Sequence, residues 1–116
     1  MSKPTPEIID EIVRWMDDKQ ADTIRLYNLQ GKSPLADWMI FCTGQSDAQV
    51  RAIADYCEAM LDQQGERCSF KEGYTDGRWI ILDYIHVIIH VFQPAVRDYY
   101  RIDQIWSEYQ ATADPE

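Results

Sequence analysis

Apolar and polar positions recur along this chain in two periods, and the periods mark out its elements. Over residues 5–20, Ile8, Ile9, Ile12, Val13 and Met16 fall at the spacing of one helix face. Thr5 can cap that helix, and Pro6 suits its first position. Glu7, Asp10, Glu11, Asp17 and Asp18 lie mostly outward, as a solvated face. From residue 23 to 29 the period drops to two, with Ile24 and Leu26 alternating against Arg25 and Tyr27. That is a strand. Residues 31–34 (GKSP) signal a turn. Residues 37–43 (DWMIFCT) form a second, buried strand that Gly44 ends.

The helical period then returns. Ser46 and Gln49 have capping-box spacing: the hydroxyl serves a free amide of the first turn and the Gln reaches back. Val50, Ile53, Ala54, Cys57, Met60 and Leu61 make one apolar face. Gly65 is placed to end the helix in a left-handed conformation. Residues 67–72 read as a short strand with Cys68 and Phe70 facing one way, and 73–77 (GYTDG) as a loop. A last helix starts at Gln93–Pro94, with Val96, Tyr100, Ile105, Trp106 and Tyr109 as its expected buried stripe. Residues 110–116 are expected to fray.

Between these lies the densest apolar stretch, residues 79–92 (WIILDYIHVIIHVF). It reads as two strands or one long bent strand. Ile80, Leu82, Val87, Ile89 and Val91 are purely aliphatic and look like core. Trp79, Ile81, Asp83, His86, Ile88, His90 and Phe92 mix apolar bulk with polar tips, provided that the turn near residues 84–85 keeps the pairing. The element order is α-β-β-α-β-β-β-α. It predicts an α/β fold with a mixed sheet of about five strands and helices packed on it.

At 116 residues, 46% hydrophobic and 27% charged, the composition is that of one soluble globular domain, spanning residues 1–116. No apolar run approaches bilayer length. The N-terminus has no signal or transit character, so a prokaryotic cytoplasmic protein is expected. Three cysteines without a CxxC pair suit reduced thiols in the core. The net charge of −9 opposes nonspecific nucleic-acid binding and suits a basic partner protein, or simply solubility.

These residues admit four kinds of chemistry. His86 and His90 would share one metal ion on a helix. On a strand their α-carbons stand roughly 13 Å apart, too far for one ion. A strand ending in Gly44-x-Ser46 before a helix resembles the phosphate-binding layout of nucleotidyltransferases. Those enzymes hold divalent metal on paired strand carboxylates, whereas Asp83 is followed two positions on by Ile85. Asp37 and Glu72 have no supported placement there. A nucleotide-binding or nucleotidyltransferase-type enzyme is the alternative function. Ser46 is better explained as a cap, and Cys42 has no adjacent base, so neither reads as a nucleophile. The mixed face of 79–92 reads either as a protein-binding surface or as a sheet face covered by the last helix.

At these residues the chain resembles the ribosomal silencing factor family, also called RsfS or Iojap. The resemblance runs from about residue 7 to Trp106. It is carried by ADTIRLYNLQGKS, by DWMIFCTG, by SDAQVRAIAD, by KEG followed by WIILDY, and by VIIHVF. It implies a nucleotidyltransferase-like fold without the catalytic carboxylates, no enzymatic activity and no cofactor. It also implies binding to the large ribosomal subunit through the basic ribosomal protein uL14. That binding blocks joining of the small subunit and slows translation when nutrients are scarce. The contact residues it implies are Trp79, Asp83, Tyr84 and His90; strand geometry adds Ile81, His86 and Ile88. A homodimer is expected when the face has no partner. No membrane contact and no sequence-specific nucleic-acid binding are expected. In one place the chain departs from the family pattern D-Y-G-D-V: it has Ile85-His86 where Gly-Asp is usual.

Overall fold

The computed structural model describes residues 4–111. Its elements are α1 (Pro6–Asp18), β1 (Asp22–Asn28), β2 (Trp38–Thr43), α2 (Asp47–Gln63), β3 (Phe70–Glu72), β4 (Trp79–Asp83), β5 (Val87–Phe92), α3 (Pro94–Tyr100) and α4 (Ile102–Ile105). A 3-10 turn, Ser107–Tyr109, follows. The five strands form one sheet in the order β1-β2-β5-β4-β3. The β2–β5 pair is parallel and the other pairs are antiparallel. This is the mixed α/β sandwich that the alternation of periods predicts.

Each face of the sheet has its own core. On one face lie α1 and α2. Ile80, Leu82, Val87, Ile89 and Val91 pack there with Ile24, Leu26, Ile40 and the inner faces of both helices. The five aliphatic positions of the 79–92 stretch are all fully buried. Burying each such side chain contributes about 1.5–3 kcal/mol, so this face carries most of the hydrophobic stabilisation. Trp15, outside the predicted stripe of α1, is buried in the same core. Thr5 caps α1, its Oγ1 accepting from the Ile8 amide. Ser46 Oγ accepts from the Gln49 amide at the start of α2. Gln49 Oε1 accepts from the amide of Gln45, one residue earlier than a standard capping box would place it. Gly65 has φ +81°, as a helix-ending glycine should.

On the other face, Tyr27, Leu29, Met39, Phe41, Phe92 and Ile102 form a second core. Here the single last helix expected from the sequence is broken. Arg101 adopts a left-handed conformation (φ 49°), and the chain restarts as α4 in a new register. The expected stripe therefore does not stay together. Val96, Trp106 and Tyr109 lean on the second core. Tyr100 (57% exposed) and Ile105 (63%) turn outward. Arg97 and Ile102 are the residues that go inside.

Two further expectations change. The strand expected over residues 67–72 shrinks to Phe70–Glu72, the edge of the sheet. Cys68 leans on the first core, while Phe70 pairs with Asp83 and belongs to the opposite face. They do not face one way, because Cys68 precedes the regular pleat. Gln110, placed in the fraying tail, bridges Tyr27, and the Ala111 amide donates to the Leu26 carbonyl at 2.8 Å. The rest of that tail, 112–116, lies outside the described residues.

Candidate functional site

Residues paired across a sheet point to the same side, so strand register defines the rows of each face. On the second face one row runs Phe70, Asp83, Ile88, Met39, Tyr27. The next runs Glu72, Ile81, His90, Phe41, Arg25. Trp79 and Phe92 begin a third. The C-terminal segment crosses the β1–β2 end of these rows and buries Tyr27, Met39 and Phe41. The β3–β4 end is left open. Phe70 is 55% exposed, and Trp79, Ile81, Asp83 and Ile88 are half-buried. The reading of a sheet face covered by the C-terminal segment holds for one half; the other half is left uncovered.

Trp79 stands at the border of the two halves. Its indole Nε1–H donates to Nδ1 of His90 at 3.1 Å. The proton of neutral His90 is thereby placed on Nε2, which is buried without a hydrogen-bond partner. The His90 ring stacks on Phe92 (9° between planes) and meets Phe41 edge-on. Only 8% of the residue is exposed. Burial pushes its pKa down to about 4, because the imidazolium would lose its hydration. The unfolded chain therefore binds this proton more readily than the folded one. The contribution to stability is whole above about pH 6.5 and is lost as pH falls toward 4. The His90 ring-proton chemical shifts should stay constant from neutrality down to about pH 5. A titration midpoint near 6.5 would mean that water reaches the ring.

The structure brings Trp79, Ile81, Asp83 and Ile88 together on the open strip and places Tyr84, His86 and His90 outside it. Tyr84 is fully buried in the first core, on the same side as Ile80 and Leu82. Simple alternation, 80-82-84, already puts it there. His90 lies under Trp79 and is not a surface residue. His86 lies at the sheet end. Its Nδ1 is 3.1 Å from Asp37 Oδ2, and its carbonyl accepts from the amides of Asp37 and Trp38. It anchors the start of β2 from the end of the sheet. Phe70 and Glu72, missed in the sequence, complete the open strip. Their signal was the alternation Phe70-Lys71-Glu72, in which Lys71 turns the other way to Glu58 of α2.

The turn between β4 and β5 is closed by three hydrogen bonds. The Ile85 amide donates to Asp83 Oδ1 at 2.7 Å, the His86 amide to the Tyr84 carbonyl, and the Tyr84 amide to the Val87 carbonyl. Asp83 is thus a brace of the turn as well as a member of the strip.

Elsewhere the candidate chemistry is already engaged. At the start of α2 the amides of Gln45, Ala48 and Gln49 donate to Gln49, Asp47 and Ser46 side chains respectively. A phosphate there would compete with the cap. Gly44 serves packing: a Cβ would come within 3.0 Å of Val50 Cγ2. Burial pushes the thiols of Cys42 and Cys68 up and that of Cys57 to about 12. Such thiols are poor nucleophiles near neutrality. Among the described residues, no group of three or more His, Cys, Asp or Glu is placed to hold a metal ion. No helix among them is long and apolar enough to cross a membrane.

Residues 2–116 match the family described as "Ribosomal silencing factor during starvation". Proteins named ribosomal silencing factor RsfS from Halalkalibacterium halodurans and Bacillus subtilis are 34% and 36% identical to this chain. The first match covers 88% of this chain and 87% of the relative; the second covers 79% and 78%. A crystal structure of a Chromobacterium violaceum protein superposes with a TM-score of 0.84 at 31% identity, over 95% of this chain and 91% of that one. The match thus takes in the helices, the whole mixed sheet and the open strip: this chain belongs to the ribosomal silencing factor family, RsfS.

Proposed function

We propose that this chain represses translation by docking on the large ribosomal subunit. The half-open sheet face is the docking surface and the basic ribosomal protein uL14 the partner. The observation that carries this reading is the strip Phe70–Ile81–Ile88, left uncovered beside Asp83 and Glu72 on a chain of net charge −9. Apolar groups flanked by carboxylates suit a basic protein surface, and the acidic balance disfavours RNA as the direct contact. The mechanism needs no reacting group. A body of 33 × 32 × 24 Å seated where the small subunit must approach blocks joining by its bulk. Repression of this kind takes place in the cytoplasm and needs no cofactor and no membrane. A nucleotide-dependent enzyme is the weaker reading, since the cap of α2 already uses the amides that phosphates would need.

Sedimentation tests the proposal. The protein should travel with free large subunits and be absent from assembled ribosomes. Equal recovery in both fractions, or in neither, would count against docking. Without its partner the strip should pair weakly with a second copy, which light scattering would detect and added uL14 would disperse.

A further inference from the structure

We propose that Ile85 is an apolar anchor of this docking face, held out at the end of the strip to enter a recess on the ribosomal partner. The inference rests on the reading that the strip docks on uL14. Ile85 has φ +73°, a region that β-branched residues avoid because their γ-carbons crowd the backbone. Glycine or asparagine would take the same conformation with less strain. The side chain is 55% exposed and belongs to neither core, so packing does not reward the choice. The free chain therefore gains little from isoleucine here.

The surrounding turn nevertheless holds this conformation firmly, through the bonds from the Ile85 amide to Asp83, His86 to Tyr84 and Tyr84 to Val87. Strain that the surroundings over-determine is a mark of functional positions. Its location fits. Ile85 stands two residues after Asp83 in the β4–β5 turn, beside the row Phe70–Asp83–Ile88, with its amide bonded to the Asp83 carboxylate. An exposed aliphatic tip beside a carboxylate suits a basic protein with an apolar recess better than it suits RNA.

The test uses the full chain with Ile85→Gly, Ile85→Asn and Ile85→Leu, titrated against purified large subunits and against isolated uL14. Gly and Asn should each weaken binding about tenfold, the share of an isoleucine side chain that docking would newly bury. Leu, which keeps an apolar tip, should stay within about threefold of wild type. The thermal midpoint of Ile85→Gly should equal or exceed that of wild type, since relief of strain offsets the lost side chain. Wild-type binding by both Gly and Asn overturns the anchor. So does weakening by Gly alone, which assigns the effect to turn rigidity, or a Leu variant as weak as Gly. A change in self-association with partner binding unmoved would assign Ile85 to a second copy and overturn it too. If wild type binds and only strip variants fail, the docking reading stands and the anchor falls. If wild type does not bind large subunits, both fall.

Discussion

Ile88→Arg should remove this chain from large-subunit fractions while its thermal midpoint stays within about 4 °C of wild type. Ile88 sits mid-row between Asp83 on β4 and Met39 on β2, where the open half of the face meets the covered half. In the free chain an arginine there can reach across to the Asp83 carboxylate and keep its head in water, so the fold tolerates it. In the complex the same charge must be desolvated against a basic partner, and it takes up the carboxylate that the partner would use. Opposed like charges at an interface cost several kcal/mol, so the loss should exceed about 100-fold in affinity, or roughly 2.7 kcal/mol. Ile88→Val, which keeps the apolar contact, should bind within about fivefold of wild type. Recovery of Ile88→Arg with large subunits at wild-type levels would place the interface elsewhere. This variant is a cleaner probe than Trp79→Ala. Trp79 also covers His90 and donates to it, so its removal disturbs the fold along with any contact.

The largest effect on stability should come from Arg97→Met. Arg97 is only 5% exposed. Its Nε and Nη2 donate to the two oxygens of Asp103 at 2.7 and 2.9 Å. Its Nη1 donates to the Thr23 carbonyl and to Thr43 Oγ1, both at 2.8 Å. Tyr27 adds its hydroxyl to Asp103 at 2.6 Å. One side chain thereby ties α3, α4, β1 and the end of β2 into a single unit. Methionine fills the volume but leaves the carboxylate and the Thr23 carbonyl without their cation. The expected loss is about 3 kcal/mol, read from the denaturant midpoint at neutral pH. A loss below about 1 kcal/mol would mean that the bonds are replaced by water at little cost.

The pH dependence gives the same network a second readout. Burial raises the Asp103 carboxyl, but the hydrogen bonds from Arg97 and then Tyr27 outweigh it and hold the group below its ordinary 3.8. Its contribution is present above that value and fades as pH falls through the lower folded one. Without Arg97 the folded carboxyl no longer lies so far below 3.8, so the variant should lose less stability than wild type as pH falls below that value.

The sheet and its first core were legible because their signal is local. Alternation at 80–82 and 87–91, and helical spacing at 8–16 and 50–61, each follow from a few neighbouring residues. Tyr84 was legible too: the alternation 80-82-84 puts it in the first core. The C-terminal segment was not. Arg97 looks like a solvated charge until Asp103, Thr23 and Thr43 are seen to surround it, and no glycine marks the left-handed break at Arg101. The limit of the open strip was hidden for the same reason. It is drawn by where residues 94–109 cross the sheet, and that path depends on partners more than fifty residues away in sequence.

The strand order carries a consequence for how the protein is made. β5 is the last strand to be synthesised, yet it lies in the middle of the sheet, between β2 and β4. Until residue 92 has left the ribosome, the β1–β2 and β3–β4 hairpins have no shared edge, and Ile88 has no row to join. A copy still being translated therefore has no complete sheet face until β5 has emerged.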